Sequence, residues 1–134
     1  MFYIFHNILN NSEIYLWKAG DYYVSFHIFH LEPLQCAIFI NNLLVSGSII
    51  GDQLSATVSS NTIILRVTDA DLTTPTSLSP SGFAVSVQIR NHSSYSPAIN
   101  IDGHAGSGSN LNQTNINLVI FLLQSYFYKW DIYI

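Results

Sequence analysis

The stretch YYVSFHIFH at Tyr22–His30 decides the reading of this chain. In a strand, alternate residues point to opposite faces. Tyr22, Val24, Phe26 and Ile28 fall on one side, and Tyr23, Ser25, His27 and Phe29 on the other. Both sets carry large groups, so both faces of this strand expect cover. NLVIFLL at Asn117–Leu123 has the same property: its apolar run Leu118–Leu123 is greasy on both sides. FAVSVQIR at Phe83–Arg90 differs. Phe83, Val85, Val87 and Ile89 are apolar, whereas Ala84, Ser86, Gln88 and Arg90 are mostly polar, which predicts one wet face.

Outward from these stretches, no segment sustains the i, i+3, i+4, i+7 apolar pattern of a helix. Short runs rich in Val, Ile, Tyr and Phe recur instead, separated by Gly, Asn, Ser and Pro. Strands are predicted at Glu13–Trp17, Tyr22–His30, Gln35–Ile40, Leu43–Val45, Ser48–Ile50, Ala56–Val58, Thr62–Val67, Phe83–Arg90, Ala98–Ile101 and Asn117–Leu123. Asn41-Asn42 reads as a hairpin turn, since Asn tolerates positive φ. Thr73–Gly82 (TTPTSLSPSG) and Asp102–Asn112 (DGHAGSGSNLN) read as loops. The expected fold is an all-β, two-sheet antiparallel jelly-roll sandwich.

With 134 residues the chain is expected to form one domain, 1–134. A domain of this size buries about 68% of its unfolded surface, enough for a real core. Only 9% of residues are charged, against about 25% in a typical soluble domain. Such a chain has few groups to solvate a monomer's surface. Together with the two-sided strands, this predicts that copies of the chain cover one another, as in obligate oligomers.

The net charge is −4, and Lys18, Arg66, Arg90 and Lys129 are the only Lys and Arg residues. No basic patch can form, which argues against nucleic-acid binding. The longest apolar run, Leu118–Leu123, is six residues, whereas a membrane helix needs about 20, so no membrane span is expected. Met1–Asn10 has neither cation nor long apolar stretch and is not expected to be a secretory signal. The single Cys36 excludes an internal disulfide and reads as a small buried hydrophobe.

The chemistry-bearing residues read mostly as structural. His27 and His30, three apart on a strand, fall on opposite faces and do not pair as metal ligands. Asp102-Gly103-His104 lacks a further ligand at a recognisable spacing. Asp69-Ala70-Asp71 offers oxygen ligands for calcium, but a turn between strands explains it more cheaply. No Gly-x-Ser-x-Gly elbow and no phosphate-binding Gly-rich loop is present. Neither catalysis nor a cofactor is expected. Asn10, Asn91 and Asn112 head Asn-x-Ser/Thr sequons, which an Asn- and Ser-rich chain produces by chance.

Ala19–His27 (AGDYYVSFH) resembles the "AGxYxVSYxI" strand in the heads of BclA-like collagen-tailed spore-surface glycoproteins of Bacillus-type bacteria. Further similarities follow in order. Ala37–Asn42 with Val45–Ser48 resembles their "alfiNGxxVpGS" hairpin, with Asn42 in place of Gly. Thr62–Leu72 resembles their "ilrvxaGDxl" strand and turn, with Ala70 in place of Gly. Phe83–Asn91 resembles "vxLxirN", and Asn115–Leu123 the closing strand. The resemblance covers about residues 13–124, leaving 1–12 and 125–134 as unmatched extensions, and no collagen Gly-x-y repeat precedes it here.

The resemblance implies a complement/TNF-like jelly roll that assembles as a homotrimer and serves as a structural head on the spore surface, or exosporium. Tyr22–Phe29, Phe83–Arg90 and Asn117–Leu123 would form the inner sheet, and Gln35–Ile40 and Thr62–Val67 the outer one. Tyr22, Tyr23, Phe26, His27, Phe29, Val119, Phe121 and Leu123 would supply the trimer interface or the inner-sheet core. Host or environmental glycans or receptors would be further partners. The rival reading is a lectin-like sandwich that recognises sugars with Tyr, Trp and Asn on loops.

Overall fold

The alternation of Tyr22–His30 becomes the central strand of the smaller of two sheets. The computed structural model describes residues 4–6, 12–54, 57–92 and 116–125. Ten strands follow in order: β1 (Ile4–His6), β2 (Ile14–Leu16), β3 (Gly20–His30), β4 (Leu34–Ile40), β5 (Leu43–Leu44), β6 (Ile50–Asp52), β7 (Thr57–Val67), β8 (Thr74–Pro75), β9 (Phe83–Asn91) and β10 (Ile116–Ser125). A 3₁₀ turn spans Asp69–Asp71. One sheet has seven strands in the order β1-β2-β9-β4-β5, with β6 beside β4 and β8 beside β9; the other has three, β10-β3-β7. Every pairing is antiparallel. Successive long strands alternate between the sheets, giving a jelly-roll-like β-sandwich.

The core lies between the sheets. β3 contributes Tyr22, Val24, Phe26 and Ile28, and β7 contributes Leu65 and Val67. Across from them stand Leu16, Leu34, Cys36, Ile38, Val85 and Val87. Leu118, Ile120 and Leu122 of β10 pack against this cluster from one side. The polar groups it encloses are satisfied, as burial requires. The Tyr22 hydroxyl donates to the Lys18 carbonyl at 2.7 Å. His30 Nδ1 donates to the Glu32 carbonyl at 2.6 Å, and its Nε2 lies 2.8 Å from Ser59 Oγ. The buried Ser48 Oγ accepts from Ile38 N at 3.0 Å and donates to the Val45 carbonyl at 2.7 Å.

The hairpin turn between β4 and β5 forms as expected. Asn41 and Asn42 have φ of 47° and 67°, the signs a two-residue I′ turn needs at both central positions. Asn41 also ties distant parts of its sheet together. Its Oδ1 accepts from Ser86 N at 3.0 Å and from Thr74 Oγ1 at 2.7 Å. Its Nδ2 donates to the Asp71 carbonyl at 2.6 Å and to Thr73 Oγ1 at 3.2 Å. Where β3 and β10 meet at a bulge, Gly20 is required by space. A Cβ there would stand 2.4 Å from the Gln124 carbonyl oxygen.

Several expectations need correction. Phe83–Arg90 does not share a sheet with Tyr22–Phe29, and Thr62–Val67 does. β7 pairs with β3 along their whole length, whereas β9 lies between β2 and β4. Side-chain periodicity fixes which residues share a face but not which strands are neighbours. The strands expected at Ala56–Val58 and Thr62–Val67 are, from Thr57 on, one strand, because its Ser and Asn positions are paired to β3 and need no turn; Ala56 lies outside the described residues. The wet face of β9 is wet only in part. Ala84 and Ser86 are buried, with Ser86 set across from Tyr15 and Asn41 bonded to it. β1 was not expected and pairs with β2. The strand expected at Ala98–Ile101 and the loop at Asp102–Asn112 lie outside the described residues.

Two substitutions test this architecture. Phe26→Ala should cost about 3–5 kcal/mol in denaturant unfolding, through lost burial and the cavity left behind. Asn41→Gly keeps the turn's backbone freedom but removes the side-chain bonds. It should cost about 2–4 kcal/mol with the β spectrum retained.

Candidate interaction surface

Alternation that buries one side of β3 presents the other side outward. The same register carries it across the three-stranded sheet. Tyr23 stands across from Ile64 of β7 and Phe121 of β10. Ser25 is flanked by Thr62 and Val119, and His27 by Ser60 and Asn117. Phe29 stands across from Val58. Tyr23 and Phe121 stack with ring centroids 4.8 Å apart at 20°, an offset arrangement aromatic pairs favour. Ser25 Oγ accepts from Thr62 Oγ1 at 3.1 Å.

The eight residues that the sequence grouped together divide cleanly here. Tyr22 and Phe26 are core. Tyr23, His27, Phe29, Val119, Phe121 and Leu123 are outside the core, on the opposite side of their strands. Val58, Ile64, Val119, Phe121 and Leu123 are each 44% to 58% exposed. Val58 and Ile64 were missed by the sequence reading. Their signal was the alternation of Thr57–Val67, which became usable only once β7 was known to lie beside β3.

The face carries almost no charge. At one end Arg66 Nε donates to Asp21 Oδ1 at 3.0 Å, with the arginine 71% exposed. An ion pair so open to water contributes little. Otherwise the face consists of apolar, hydroxyl, amide and imidazole side chains. Three strands about 4.8 Å apart, two of eleven residues and one of ten, at about 3.3 Å each give a footprint of roughly 500 Å². Apolar side chains cover part of that footprint, and exposed apolar patches of a few hundred Å² are often functional.

The remaining candidates are placed elsewhere. His27 is exposed and His30 buried, on opposite faces of β3 as expected. Asp69-Ala70-Asp71 forms a turn: Asp71 Oδ2 accepts from Thr68 N at 2.8 Å and from Thr68 Oγ1 at 2.9 Å. Among the described residues, no three His, Cys, Asp or Glu side chains gather as a metal ion would need. No helix among them is long and apolar enough to cross a membrane. Asp102 and His104 lie outside the described residues, as do Asn10 and Asn112. Cys36 is buried in the core, and that burial pushes its thiol up to about 11 from 9.0.

No protein-family model matches this chain, and no curated protein matches it significantly.

The thiol supplies a measurement of core integrity. The reactive species is the thiolate, and Cys36 is both buried and protonated at neutral pH. A water-soluble thiol reagent should leave native protein unmodified and label it fully in denaturant. As pH rises from 9.0 towards about 11, the unfolded thiol ionises before the native one, so this group's contribution to stability is intact below that window and is lost across it.

Proposed function

We propose that this chain is a non-catalytic structural head whose three-stranded sheet packs against copies of itself around a three-fold axis. The observation that carries the reading is the uncharged outer face of β10-β3-β7. Its large apolar side chains are aligned by strand register and left uncovered within the subunit. A second copy of the same chain fits this face without like-charge repulsion, because the face has one compensated ion pair and, among the described residues, no other charged group. The 9% charge of the whole chain supports the same conclusion. Standard interfaces bury about 800 Å² per partner. The footprint of roughly 500 Å² would supply the apolar centre of such interfaces and not their whole area.

The placement of such a head on a spore surface rests on the resemblance of Ala19–His27, Ala37–Ser48, Thr62–Leu72, Phe83–Asn91 and Asn115–Leu123 to the BclA-like heads. The complement/TNF-like character of the jelly roll rests on that resemblance too. The lectin-like reading draws less support from the aromatic residues. Among the described residues, Tyr15, Tyr22, Tyr23 and Trp17 lie on strands or at a strand end, not on loops. Tyr15 and Trp17 pack edge-to-face with Phe5, at 5.2 and 6.1 Å between centroids.

Molar mass in solution tests the proposal. Light scattering should give about three times the 15.0 kDa chain mass at micromolar concentration. Tyr23→Asp would set like charges close together in a dry interface, once per subunit. It should yield a folded monomer with its β spectrum intact. A stable wild-type monomer, or a Tyr23→Asp protein that remains a trimer, would overturn the reading.

A further inference from the structure

The outer face of the seven-stranded sheet carries a different chemistry. Arg90 on β9 stands across from Ala37 of β4, and Gln88 across from Phe39. The Arg90 guanidinium carbon lies 4.7 Å from the Phe39 ring centroid. Its Nε donates to Gln88 Oε1 at 2.9 Å. Its Nη2 donates to that oxygen and to Asn42 Oδ1. Gln88 is itself held, its Nε2 donating to Ser12 Oγ at 2.8 Å. The His92 ring meets Phe39 edge-on, 5.6 Å between centroids at 70°.

This guanidinium is fixed in position yet has no carboxylate partner among the described residues. That is unusual for a half-buried arginine, and more so in a chain where acids outnumber Lys and Arg by 8 to 4. A guanidinium has five donors. Nε and Nη2 are engaged by neutral oxygens, which leave its charge uncompensated. The two N–H groups of Nη1 have no acceptor among the described residues. A planar guanidinium held against an aromatic ring is suited to grip a carboxylate.

We propose that Arg90, with Phe39, Asn42 and His92, forms a subsite for a carboxylate-bearing sugar such as a uronic acid. One cation suits a monoanion and not a phosphate-rich polyanion. The groups around it are neutral hydrogen-bonding ones, an amide at Asn42 and an imidazole at His92, which match sugar hydroxyls. The ring of Phe39 gives an apolar edge. The subsite lies on the opposite sheet from β10-β3-β7, so it stands whether or not the chain self-associates. In an assembly several copies would bind together, and weak single-site affinity would be multiplied.

The test is an NMR titration of the full chain at neutral pH with sodium glucuronate. Glucose, acetate and a glutamate-containing peptide form parallel arms. Glucuronate at millimolar concentration should shift the Phe39, His92 and Arg90 side-chain signals saturably. Glucose should not, and acetate should bind more weakly than glucuronate. Arg90→Gln should abolish the response. Arg90→Lys keeps the charge and the stem but loses the planar fork, and should weaken binding by about tenfold. Far-UV circular dichroism of each variant establishes that it is folded, and the wild-type titration stands independently of them. Absence of saturable shifts with glucuronate, or equal shifts in folded Arg90→Gln, overturns the subsite. Tighter binding of the acidic peptide than of glucuronate overturns its assignment to a sugar.

Discussion

Everything in this structure depends on the two-sided alternation of β3. Its even-numbered residues from Tyr22 to Ile28 are the middle of the core, and their burial is the main favourable term in folding. Its backbone pairs on both edges, with β7 over its full length and with β10 on both sides of a bulge at Leu122–Gln124. Because the period is two, burying one set of side chains presents the other set outward. A one-residue slip would exchange Tyr22 and Phe26 for Tyr23 and His27 in the core. The polar ends of the strand reinforce the register: the Tyr22 hydroxyl reaches the Lys18 carbonyl, and His30 is bonded at both ring nitrogens.

The larger sheet is held differently. Its strands are mostly short, and two of them have only two residues. Hydrogen bonds from Asn41 compensate. One side chain in a left-handed turn joins β9, β8 and the 3₁₀ turn at Asp69–Asp71 to the end of β4. A half-buried amide with its donors and acceptors engaged fixes geometry better than apolar packing does. It also explains why Ser86, which alternation assigns to the wet side, is buried.

The two outer faces therefore have distinct characters that arise from one pattern. Outside β10-β3-β7, alternation exposes aromatic and aliphatic groups with hydroxyls between them, and charge is confined to the Asp21–Arg66 pair. Outside β4 and β9 it presents Gln88 and Arg90, half-buried, with the Arg90 guanidinium over Phe39 and bonded to Gln88. A surface of the first kind gains by excluding water. A surface of the second kind holds a charge in a fixed place and gains by meeting its opposite.

Strand content, the β4–β5 turn and the residues of each strand that share a face can be read from local pattern, because these depend on neighbours along the chain. Tyr22 with Phe26, and Tyr23 with His27, could be grouped from period two alone. Much of the candidate face was legible in the same way, through Tyr23, Phe29, Val119 and Phe121. Tertiary structure decided which set is inside, since both sides of β3 are apolar and only the opposing sheet breaks the tie. It decided that β7 and not β9 lies beside β3, which brought Val58 and Ile64 to the face. It also brought Arg90 over Phe39 and joined Asn41 to Ser86, Thr74 and Asp71. These contacts link residues 30 to 51 positions apart, and local pattern carries no information at such separations.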